Sequence, residues 1–108
     1  MSDPLAAERA AALAQIEALT REFDNVVAAS QSSNADDEHD PEGATIAFER
    51  QQVAALLEST RARLADVEAA LVRRAAGGYG TCESCGRPIA AERLAARPAA
   101  RTCIHCAR

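Results

Sequence analysis

The sequence predicts a mainly α protein: a long antiparallel two-helix coiled-coil hairpin followed by a small C-terminal four-cysteine zinc finger. Three observations predict it. Aromatic residues are scarce, with two Phe, one Tyr and no Trp, so an aromatic-filled globular core is not expected, and the abundant Ala favours helix instead. Two apolar seams with alternating three- and four-residue steps flank a polar, acidic stretch. Four cysteines lie in the C-terminal segment as two CxxC pairs. The 108 residues are within the range of one domain. Residues 1–78 read as the hairpin, with its acidic tip at 34–43, and 79–108 as the finger.

The first helix starts at Ser2-Asp3-Pro4, with Asp3 as N-cap and Pro4 at the first helical position. Leu5, Ala12, Ile16, Leu19, Phe23, Val26 and Ser30 follow the heptad steps, with one step missing at Arg9. Leu13 and Val27 are expected to widen the seam. No Gly or Pro interrupts the chain from Leu5 to Asp40. The expectation is one helix of roughly 25–30 residues, about 40 Å long.

From Ser30 to Gly43 the apolar pattern stops, and turn formers and acids replace it. Asp40-Pro41-Glu42-Gly43 is a turn signal. The second seam runs from Ile46 through Val53, Leu57, Thr60, Leu64, Val67 and Leu71, and stops at Gly77-Gly78. Two seams joined by a short connection make an antiparallel hairpin, with Phe23 near Val53 and Ser30 near Ile46. Half of a homodimeric four-helix bundle is the alternative; the reading taken is a monomer.

Cys82-Glu-Ser-Cys85 and Cys103-Ile-His-Cys106 are separated by seventeen residues. Each pair presents two sulfurs to one ion, and together they complete a tetrahedral zinc site with no open position, so the zinc is structural. Gly86 permits the tight turn that brings backbone N–H groups to the thiolates. A segment this short has little core, and the metal supplies the missing free energy. Two disulfides or a redox CxxC are the competing readings. His105, between two ligands, reads as a surface residue because four Cys fill the site.

Charge is uneven. Residues 1–78 carry fourteen acids and seven Arg, and residues 79–108 two acids and five Arg, so no basic stripe suited to nucleic acid emerges. No apolar run approaches the roughly 20 residues that span a bilayer, and the N-terminus lacks a signal-peptide core. The expected location is the cytoplasm, where thiols stay reduced and paired cysteines read as metal ligands. Asp36, Asp37, Glu38, Asp40 and Glu42 are five acids within seven residues. Such a cluster is either a solvated loop end or a set of carboxylates presented to a metal or to Arg. His39 within it reads as solvated.

The run Tyr79-Gly80-Thr81-Cys82-Glu83-Ser84-Cys85-Gly86, then Pro88-Ile89, Glu92-Arg93-Leu94, Pro98 and Cys103-Ile104-His105-Cys106, resembles the TraR/DksA zinc-finger family. The segment from Asp37 to Gly43 and on to Ala47-Phe48-Glu49-Arg50 is similar to its short actinobacterial members. The resemblance implies a regulator of bacterial RNA polymerase. Its coiled coil would enter the secondary channel, with an acidic tip near the catalytic centre and no sequence-specific DNA contact. It implies Asp37 and Asp40 as the DxxD of the family's DxxDxA tip motif, with Glu42 in place of the Ala. The guanosine tetraphosphate site of larger members, which have longer N-termini, is not carried over. The rival readings are a zinc-dependent module for another protein partner, and a nucleic-acid-binding finger using Arg87, Arg93, Arg97 and Arg101. Stacking aromatics, which the latter needs, are scarce. The sequence shows no open metal position and no nucleophile–base pair, so no enzymatic activity is expected.

Overall fold

A computed structural model describes residues 3–32 and 41–107. Asp37 and Asp40, and the rest of the acidic stretch before Pro41, lie outside the described residues. Among the described residues three helices form: α1 (Pro4–Ser32), α2 (Pro41–Ala75) and α3 (Ala91–Ala96). Among the described residues there is no strand, only an isolated antiparallel bridge between Thr81 and Pro88. No helix among them is long and apolar enough to cross a membrane.

α1 starts as its sequence predicts. The Asp3 carboxylate accepts the Ala6 N–H at 3.2 Å and the Asp3 carbonyl accepts that of Ala7 at 2.9 Å. Pro4 follows as the first helical residue, where a missing N–H breaks no helical bond. α2 starts earlier than expected. Pro41-Glu42-Gly43, read from the sequence as part of the turn, is its first turn. Pro41 has the dihedral that a first helical position needs, so the same residue that signals a turn also opens a helix.

The stop at Gly77-Gly78 is explicit. The Gly78 amide donates to the Arg73 carbonyl at 2.8 Å, and that of Gly77 to Arg74 at 3.2 Å. This pair of bonds is a Schellman motif, and it requires a left-handed residue, here Gly77 at φ +85°.

Packing divides the chain into two compact units, residues 1–11 with 63–108, and residues 12–62. In the first, Leu5, Val67 and Ala70 are almost completely buried, and Leu71, Tyr79 and Ala99 pack against them. The start of α1, the end of α2 and the cysteine-rich segment therefore share one core. The segment after residue 78 has little apolar material of its own, and it uses Tyr79 and Ala99 to bury surface against the helices.

In the second unit Leu19, Val53 and Leu57 form the core, flanked by Ile16 and Phe23. The expected neighbourhood of Phe23 and Val53 is present. Thr60 is buried in the α2 seam, and its hydroxyl donates to the Leu56 carbonyl at 2.8 Å, so the polar group is satisfied within the helix.

Two seam assignments differ from expectation. Leu13 does not widen the apolar face; it is 40% exposed. Ala12 takes the buried position instead, at 0% exposure. The step missing at Arg9 is taken by half-buried Glu8, while Arg9 turns aside to pair with Glu68 at 3.5 Å.

Candidate metal centre

The first CxxC lies in the loop between the bridged residues Thr81 and Pro88. The Cys82 amide donates to the Arg87 carbonyl at 2.8 Å, and the Gly86 amide returns to the Cys82 carbonyl at 3.0 Å. Gly86 closes this loop at φ +75°, a conformation that side chains with a Cβ disfavour. The second CxxC is a matching turn, in which the Cys106 and Ala107 amides donate to the Cys103 carbonyl at 3.0 and 2.9 Å. A bond of 2.9 Å from the Glu83 amide to the Arg101 carbonyl ties the two loops together.

Between them lies α3, which the sequence reading did not anticipate. Its six residues are too few for a periodic pattern to show. The signals were the Ala-rich run between Pro88 and Pro98 and the Glu-Arg-Leu at its centre. Leu94 of α3 packs against the cluster of Cys82, Ile89 and Cys103, beside Cys106. The Arg93 guanidinium donates to the Thr102 carbonyl at 2.9 Å, and the Tyr79 hydroxyl to the Pro98 carbonyl at 2.8 Å. These two bonds fix the connection between the loops.

The four sulfurs of Cys82, Cys85, Cys103 and Cys106 all lie within 4.8 Å of one another. The Cys85 and Cys103 sulfurs are 3.7 Å apart. A tetrahedral ZnS₄ unit with bonds of about 2.3 Å has edges of about 3.8 Å, so the group fits. His105 is exposed, and the sulfur cluster closes without it.

The electrostatics also suit a cation. Backbone hydrogen bonds, from Cys103 first and then Cys85, bring the Cys82 thiol down to about 6. The Cys103 thiol is lowered as well, chiefly by the Cys106 backbone. Cys106 is pushed up to about 12, because its S–H is held by Cys103 and then by Cys82. Amides thus favour thiolates here, while crowding keeps a proton on the last sulfur. A divalent ion held by Cys82, Cys85, Cys103 and Cys106 would remove that conflict by favouring the thiolate form of all four. An all-sulfur set leaves no position for water or substrate, which marks a structural site.

Two ion pairs join this segment to α2. Glu83 lies 3.8 Å from Arg73, and Arg101 lies 3.6 Å from Asp66. Neither pair was visible in the sequence, since both depend on packing across the fold.

Comparison with known proteins agrees with this geometry. The family model described as prokaryotic dksA/traR C4-type zinc finger matches residues 77–108. No curated protein matches the chain. Among solved structures, the transcription factor DksA2 from Pseudomonas aeruginosa is similar, with 29% sequence identity and a TM-score of 0.58, over 94% of this chain and 78% of that one. These matches agree with the resemblance drawn from the motifs: residues 77–108 match the dksA/traR C4-type zinc-finger model, in a chain similar to the transcription factor DksA2.

Proposed function

We propose that this protein is a non-enzymatic transcription regulator that binds bacterial RNA polymerase through the secondary channel. The observation that carries the reading is the similarity to the transcription factor DksA2 over nearly the whole chain, together with the matching zinc-finger segment. In this reading Cys82, Cys85, Cys103 and Cys106 hold one zinc ion, which orders the segment around them. The coiled coil carries Asp37 and Asp40 toward the catalytic centre of the polymerase. These carboxylates act on charge there, on a metal ion or on Arg side chains. The protein works in the cytoplasm as a monomer and makes no sequence-specific DNA contact.

The two long helices support the reading, since they provide a scaffold with an acidic connection between them. The test is co-purification with core RNA polymerase, using wild type and the Asp37→Asn/Asp40→Asn double variant. Wild type is expected to co-elute with the enzyme. Its failure to bind core polymerase at any salt concentration would refute the proposal.

A further inference from the structure

Glu83 directly follows the ligand position Cys82. Its amide joins the two cysteine loops through the Arg101 carbonyl, and its carboxylate faces Arg73 on α2. The Arg73 side chain is only 17% exposed, and its Nη2 atom is buried without a hydrogen-bond partner among the described residues. A guanidinium this far out of water is costly to leave unpaired, and the carboxylate set against it is that of Glu83.

Arg74, the next residue, points elsewhere. Its two terminal nitrogens donate to the two Asp3 carboxylate oxygens at 2.7 and 3.0 Å. Asp3 is at the same time the cap of α1. The carbonyls of this Arg73-Arg74 pair accept the bonds that end α2. One helical turn thus holds the cysteine loop with one arginine and the start of α1 with the other.

We propose that this turn couples zinc occupancy to the order of both helix ends at the base of the hairpin, with Glu83–Arg73 as the input and Arg74–Asp3 as the output. The inference rests on the zinc reading of the four cysteines. With the ion bound, the loop at residues 82–86 is fixed and Glu83 is held against Arg73. Without it, Glu83 withdraws and Arg73 is left as an uncompensated charge. The last turn of α2 then opens, and Arg74 releases Asp3. Coupling of this kind is reciprocal, so a change at Asp3 must alter zinc affinity.

Two readouts on the full chain test this: zinc affinity by competition with a chromophoric chelator, and amide exchange with and without zinc. The chains are wild type, Glu83→Gln and Asp3→Asn, none of which alters a cysteine. Asn is itself a good N-cap, so Asp3→Asn retains α1. Expected is one zinc per wild-type chain, and faster exchange at residues 7–11 and 68–76 once zinc is removed. Both variants should bind zinc at least about fivefold more weakly, the lower end of ordinary coupling between sites. In Glu83→Gln the zinc dependence of exchange at residues 7–11 should be lost. Equal zinc affinity in all three chains would overturn the coupling and leave the zinc site standing. So would a wild-type exchange response in Glu83→Gln, which would assign the link to the apolar contacts of Leu71, Tyr79 and Ala99. A wild-type chain that takes up no zinc would overturn the metal reading itself, and the coupling with it.

Discussion

Asp3 and Arg74, 71 positions apart in sequence, meet through two hydrogen bonds of 2.7 and 3.0 Å while Asp3 also caps α1. The Arg74 hydrogen bond, and after it the Ala6 amide, holds the Asp3 carboxyl below its ordinary value.

A carboxyl depressed in the folded state stabilises the protein at pH values above its unfolded pKa, about 3.9, and that contribution is lost as pH falls through the folded value. The melting temperature of Asp3→Asn should therefore lie below wild type at pH 7. The gap should close as the pH drops below about 4. Thermal melts of both chains across this range provide the check, and a gap independent of pH would contradict it.

Leu57 is 6% exposed and belongs to the core of the second unit, whereas Leu13 is 40% exposed. Leu57→Ala should cost about 2–4 kcal/mol and Leu13→Ala well under about 1 kcal/mol. Urea unfolding of the two variants measures the difference. Equal losses would show that the seam is drawn wrongly.

At Gly77 the constraint is conformational, because φ is +85° and nothing lies within 4 Å of an added Cβ. Gly77→Ala should destabilise by roughly 1–2 kcal/mol through left-handed strain alone. Gly77→Asn should lose less, since Asn tolerates that region. The comparison by chemical denaturation isolates strain from clash.

Zinc binding should be coupled to proton release. Near pH 7 Cys82, at about 6, is already largely thiolate, while Cys106, at about 12, still holds its proton. Loading the site must expel that proton, so affinity should rise with pH and fall as solutions become acidic. Zinc competition at pH 6 and pH 8, with calorimetry in two buffers of different ionisation enthalpy, measures both effects. A pH-independent affinity would argue against four thiolate ligands. Cys82→Ser should lose the metal and the order of residues 79–107.

Much of this architecture was legible locally. Asp3-Pro4 announced the start of α1, Gly77-Gly78 the stop of α2, and the two CxxC pairs the sulfur cluster. Each depends on chemistry within a few residues. Ala70, completely buried, escaped notice because a single methyl group in an Ala-rich helix carries no periodic signal. Tyr79 and Ala99 likewise gave no hint that the finger shares its core with Leu5 and Val67. The ion pairs Asp3–Arg74, Glu83–Arg73 and Asp66–Arg101 join residues whose proximity only the folded chain creates. Asp37 and Asp40 rest on the motif, since they lie outside the described residues.

In the proposed function those two aspartates act on the polymerase. The most direct measurement is promoter open-complex lifetime with purified RNA polymerase, comparing wild type with Asp37→Asn/Asp40→Asn at matched occupancy. The substitutions remove two charges at nearly constant volume and leave the zinc ligands and seams untouched. The double variant should still bind the polymerase, with zinc content and melting near wild type, but no longer change the lifetime. Full activity in the double variant, or wild type without effect on any open complex while bound, would contradict it.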